Sequence, residues 1–136
     1  MGGPALRVVA LDHVGIASTG AALPLVEALG AGALVGREMP SGVVVARFGP
    51  AQALELVWPR GEATPIGRFL AQRGPGLHHV ALRVEEPLER LVPGLRAHAI
   101  EPVGGVERSS DGRPSLFLHP ATTGGVLVEL VEGVAT

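Results

Sequence analysis

Apolar residues in this chain fall into short β-branched runs broken by glycine and proline, and a few stretches carry helical spacing instead. Residues 7–18, rich in Val, Ala and Ile, read as a first strand. Thr19-Gly20 offers a helix start, with Leu23, Val26 and Leu29 on one face until Gly30 and Gly32 stop it. A short strand over 33–38 follows, then a turn signal at Pro40-Ser41-Gly42, a strongly β-branched strand over 43–48, a turn at Gly49-Pro50 and a strand over 52–58. These make one βαβββ unit. A linker over 59–64 and a short helix over 65–72, with Ile66, Phe69 and Leu70 on one side, lead through Arg73-Gly74-Pro75-Gly76 into a strand over 76–85. Leu88, Leu91, Val92 and Leu95 form the stripe of the next helix, which Pro93 is expected to kink or shorten. Residues 101–112, polar and glycine-rich, predict a hairpin and loop region. Strands over 115–119 and 125–131, joined by a turn over 120–124, complete a second βαβββ unit.

The two units share more than their element order. Leu11-Asp12-His13-Val14 and Leu77-His78-His79-Val80 both read Leu-x-His-Val, and Ala53-Leu54-Glu55-Leu56-Val57 matches Leu127-Val128-Glu129-Leu130-Val131. Each unit thus supplies one histidine early and one glutamate late, each inside an apolar strand. An ionised Glu in such a strand is costly unless it is paired or bound to a metal. For a single Glu, an outward position on a half-exposed strand is an equal explanation, since alternation turns Leu54 and Leu56 to the other face. A lone strand histidine is likewise more often a hydrogen-bonded core or surface residue than a ligand. Recurrence at matching positions favours a metal site built from His13, Glu55, His79 and Glu129. Imidazole with carboxylate suits Mn²⁺, Co²⁺, Ni²⁺, Fe²⁺ or Zn²⁺ without discriminating among them.

The fold class expected is α+β: a single domain over 1–136 made of two tandem modules, about 7–58 and about 76–132, whose curled mixed sheets surround a metal-binding cleft. Length and a hydrophobic content of 46% allow a real core. A net charge of −2, 3% aromatics and no Tyr give no footprint for nucleic acid or an anionic membrane. No run reaches the roughly 18 apolar residues of a membrane span. The absence of cysteine excludes disulfides and thiolate metal sites, and no signal peptide is read at the N-terminus, so a cytoplasmic location is expected.

Other candidates carry less. His78 is expected to face away from His79 as a structural or supporting group. His119, at a strand end before Pro120, is read as a turn cap that could contact substrate. Arg113 in the loop Asp111-Gly112-Arg113-Pro114 could hold an anionic substrate group, although an exposed loop arginine usually does not. His98 is assigned no role, and Gly124-Gly125 reads as a turn that needs unusual backbone angles.

With the repeats, the runs Gly74-Pro75-Gly76-Leu77-His78-His79-Val80-Ala81 and Leu118-His119-Pro120-Ala121-Thr122-Thr123-Gly124-Gly125-Val126-Leu127-Val128-Glu129-Leu130 are similar to the methylmalonyl-CoA epimerases. That family belongs to the vicinal oxygen chelate superfamily, with glyoxalases, extradiol dioxygenases and bleomycin-resistance proteins. The resemblance covers Leu11 to Glu132. It implies the vicinal oxygen chelate fold and one divalent metal ion, Co²⁺ first with Mn²⁺, Ni²⁺ or Zn²⁺ as alternatives. It further implies metal ligands His13, His79 and Glu129 with Glu55 at the fourth position, and catalytic carboxylates Glu55 and Glu129. The substrate would be an acyl-CoA thioester, (2R)- and (2S)-methylmalonyl-CoA, in propionyl-CoA metabolism, with a homodimer as the assembly. A glyoxalase I-like isomerase or lyase, or a metal-free drug-binding module, are the alternatives within the fold. The full ligand set and the scarcity of aromatics disfavour the binding module. Two departures stand out: Val45 where some epimerases carry a basic Glu, and Ala121 where the family usually has Lys. They would leave the base work to Glu55 or Glu129 and any CoA phosphate contact to another group, such as Arg113.

Overall fold

Strands form where the β-branched runs lie. The computed structural model describes residues 6–19, 23–28, 35–61 and 63–133. In chain order these give β1 (Val8–Ala17), α1 (Leu23–Ala28), β2 (Val35–Glu38), β3 (Val43–Phe48), β4 (Leu54–Pro59), α2 (Pro65–Arg73), β5 (Gly76–Val84), α3 (Leu88–Ala97), β6 (Pro102–Arg108), β7 (Pro114–Leu118) and β8 (Val128–Glu132). The class is α+β. The chain divides into two compact units, one His13–His78 and the other joining the chain up to Asp12 to the chain from His79 onward. The division falls inside β1 and β5.

In the first unit the strands run in the order β2-β3-β4-β1. β3 is antiparallel to both β2 and β4, whereas β4 lies parallel to β1. Val43, Val45 and Val57 share one face and bury themselves with Ala17 and with Ile66 of α2, flanked by Met39, Phe69 and Leu70. The start of α2 is set by Thr64, whose Oγ1 accepts from the Gly67 N–H at 3.0 Å, and by Pro65 in the first turn. Its end is set by Gly74, at φ 74°, whose N–H donates to the Leu70 carbonyl. The apolar stripe expected for α1 lies outside the described residues: nothing is described of the Leu23 and Val26 side chains, or of Leu29, Gly30 and Gly32.

In the second unit the order is β5-β8-β7-β6, with β5 and β8 parallel and the other pairs antiparallel. Leu88, Leu91 and Leu95 of α3 are buried against Val84, Leu116, Leu118 and Leu130. The Leu88 N–H at the start of α3 donates to the Glu132 carboxylate at 3.2 Å, so a strand residue satisfies a helix-terminal donor. Pro93 does not shorten α3, which runs through it to Ala97. The proline is exposed, so it forfeits one backbone donor without disturbing the packed face.

The glycine-rich segment expected to hold a hairpin and loop carries β6 as the outer arm of a hairpin with β7. The register slips between Val103 and Glu107, around Gly104 and Gly105, and the strand is mostly exposed. An edge strand with little burial has no alternation to betray it. β8 begins at Val128 rather than 125, because the backbone before it is still turning. Gly125 N–H donates to the Pro120 carbonyl at 2.7 Å, and Gly124 and Gly125 hold φ of 74° and 91°. Among the described residues no helix is long and apolar enough to cross a membrane.

Candidate metal centre

Each unit builds a histidine–glutamate pair in the same way. In β1, His13, Gly15 and Ala17 alternate onto one face and are buried. The parallel pairing with β4 sets Gly15 opposite Glu55, and the carboxylate leans past it towards the histidine. His13 Nε2 lies 3.5 Å from Glu55 Oε2, with both side chains buried. In the second unit His79 and Ala81 share a face of β5, and Ala81 is opposite Glu129 of β8. His79 Nε2 stands 3.3 Å from Glu129 Oε1, again with both side chains buried. In both copies the residue two beyond the histidine is small, which leaves room for a carboxylate from the neighbouring strand. Phe117 of β7 meets the His79 ring edge-on, with centroids 5.4 Å apart and planes at 81°, and this holds the imidazole in orientation.

These donors fit a divalent cation. Buried carboxylates among apolar strands call for a partner of opposite charge, and imidazole nitrogen with carboxylate oxygen is the donor set of mid-first-row divalent ions. His13, His79 and Glu129 are each buried and each offer an atom of metal-ligating type, and Glu55 stands beside the first of them.

The remaining histidines do other work. His78 is partly buried, and its ring meets Phe69 of α2 edge-on at 5.0 Å between centroids. His119 is exposed and caps the short 3-10 turn Pro120–Thr122, its Nδ1 accepting from the Ala121 N–H at 3.1 Å. His98 shares a hydrogen bond with the Gly94 carbonyl at the end of α3.

Arg113 is turned inward. Its Nη1 and Nη2 donate to the two oxygens of Asp12 at 2.7 and 2.9 Å, and its Nε donates to Asp111 Oδ2 at 2.8 Å. Arg83 adds two donors to Asp12 Oδ1, at 3.1 and 3.0 Å. Burial alone would lower the Arg113 pKa, but the hydrogen bonds and charge of Asp12, then of Asp111, more than offset it and hold the guanidinium above its ordinary value. For Asp111 burial pushes upward, and the Ser109 and Arg113 hydrogen bonds with the Arg113 charge bring the carboxyl below 3.8. The reading of the sequence missed Asp12. Its signal was an ionisable residue next to His13 in an otherwise apolar strand. Arg47, buried within β3, was missed too.

No protein-family model matches the chain. The mitochondrial methylmalonyl-CoA epimerase of Bos taurus is 33% identical over 143 aligned positions, covering 96% of this chain and 78% of the relative. The chain belongs to the methylmalonyl-CoA epimerase family. Against the family member of Dictyostelium discoideum it is 36% identical over 81 residues, and the match spans about half of that relative, 48%. The crystal structure of the Mycobacterium tuberculosis methylmalonyl-CoA epimerase superposes with a TM-score of 0.80 at 32% identity, over 98% of this chain and 93% of that one. A methylmalonyl-CoA epimerase in complex with methylmalonyl-CoA and NH₄⁺ gives 0.84 at 28% identity, over 95% and 97%. The fold of this chain is therefore the vicinal oxygen chelate fold of the epimerase family.

Proposed function

We propose that this chain interconverts (2R)- and (2S)-methylmalonyl-CoA with one divalent metal ion, Co²⁺ ahead of Mn²⁺, Ni²⁺ or Zn²⁺, held by His13, Glu55, His79 and Glu129. The observation that carries the proposal is the buried His–Glu pair built twice, at matching registers, in a member of the epimerase family. The bound cation would supply positive charge against which negative charge on the thioester oxygen is stabilised.

Glu55 and Glu129 share the proton work. One carboxylate accepts the α-proton as the C–H bond breaks, and the bonding electrons pass into the thioester carbonyl. The other, protonated, returns a proton to the opposite face as those electrons come back, so no proton or electron is lost overall. Such a positioned acid–base pair contributes about 10²–10⁴-fold in rate. Val45 is part of the packed core, so that position supplies no base. The imidazoles of His13 and His79 act as ligands. The proposed assembly is a homodimer with one domain per chain.

Solvent-exchange kinetics test the proposal. (2S)-Methylmalonyl-CoA incubated in D₂O with Co²⁺-loaded protein is expected to take up deuterium at the α-carbon and to racemise. Protein that binds Co²⁺ yet produces neither change would overturn the epimerase reading.

A further inference from the structure

Arg47 sits within β3, Val43–Phe48, every residue of which is buried, with 7% of its own surface exposed. A guanidinium cannot be deprotonated in a protein, so burial obliges it to find partners. The antiparallel pairing of β3 with β4 sets Arg47 directly opposite Glu55, and directly opposed residues leave the sheet on the same face. Their Cβ atoms are then about 4.5–5.5 Å apart, a span that an arginine side chain covers easily.

The guanidinium is also anchored. Its Nε and Nη2 both donate to the Gln52 carbonyl, at 3.0 and 2.9 Å. That carbonyl belongs to the connection between β3 and β4, where Ala51 and Gln52 hold φ of 56° and 53°. Two consecutive left-handed residues with side chains are unfavourable, and strain of that kind persists where neighbouring structure over-determines it. Here it presents an oxygen to the arginine next to the start of the strand that carries Glu55.

We propose that Arg47 is a positioning residue for Glu55: braced on the Gln52 carbonyl, it steadies the carboxylate that faces His13. A carboxylate has two oxygens, so one can face His13 while the other takes a guanidinium donor. The inference rests on the reading of Glu55 as a metal ligand. A ligand carboxylate held by an outer partner typically binds its metal about 10–100-fold more tightly than one without it. The competing role for Arg47 is to staple the strained turn and nothing more.

A double-mutant cycle of Arg47→Met and Glu55→Gln separates the two, with Co²⁺ affinity read by calorimetry in the absence of substrate. Arg47→Met is expected to weaken Co²⁺ binding about 10-fold or more in the wild-type background, and to change nothing further once Glu55 is Gln. Arg47→Gln replaces Arg47→Met if the latter does not fold. An equal loss in both backgrounds, or no loss in either, overturns the assignment and leaves a turn staple. If the wild-type protein takes up no Co²⁺, the metal reading fails, and the urea midpoints of the four metal-free proteins decide the pair by themselves. Non-additive midpoints support the pairing of Arg47 with Glu55, and additive ones overturn it.

Discussion

Nε2 of His79 stands 3.3 Å from Oε1 of Glu129, with both side chains buried and the two carried by adjacent parallel strands. No loop intervenes in that relationship. The register of β5 with β8 sets it, so it is as rigid as the sheet that makes it.

On the proposed reading, Glu129→Ala removes a ligand and a proton carrier together. Metal content after gel filtration should fall well below that of the wild type, and epimerisation should drop by at least about 10²-fold. Unchanged metal occupancy would count against the proposed centre.

Metal should also show in stability. A ligand that binds only the folded state at a hundred times its Kd adds about 2.7 kcal/mol. Co²⁺ at such a level should raise the Tm of the wild-type protein and a chelator should reverse the rise, whereas Glu129→Ala should respond to neither.

Asp12 accepts from both Arg83 and Arg113 and its own side chain is fully buried. Asp12→Ala would take from Arg83 and Arg113 the buried carboxylate they share, and breaking a buried ion pair costs about 3–5 kcal/mol. Urea unfolding should show a loss of that order, with Asp12→Asn falling between the variant and the wild type.

Asp111 has its folded pKa depressed below 3.8 by Ser109 and Arg113, against the upward push of burial. A depressed carboxylate stabilises the fold above its unfolded pKa, and that stabilisation is lost as pH falls through the folded value. Asp111→Asn should therefore be less stable than the wild type at neutral pH. The gap should close below about pH 3.8, the ordinary value of the group. Paired thermal melts from pH 7 down to pH 3 check this.

The α+β order of elements was legible because β-branched runs and the leucine spacing of α3 are dictated by burial, and burial writes its period into sequence. His13, Glu55, His79 and Glu129 stood out for the complementary reason: in a strand that must be apolar, any polar residue is conspicuous. β6 was legible only as part of a hairpin and loop region, without strand bounds, because it lies exposed at a sheet edge with two glycines and a slipped register, where nothing selects for alternation. Arg113 looked like a free loop arginine because Asp12, its partner, is remote in sequence. Arg47 was hidden for a related reason. A long side chain within a valine-rich run looks like an interruption until β3 is aligned with β4 and Glu55 is found opposite.

Gly15 and Ala81, the small residues facing Glu55 and Glu129, set a steric ceiling on both strands. A valine at either place would occupy the volume through which the acid reaches its imidazole, and would disarm the pair while every donor atom was still encoded. Loss of activity in a homologue could therefore begin with two methyl groups added at Ala81, or an isopropyl group at Gly15, and a search for intact ligands alone would pass it as competent.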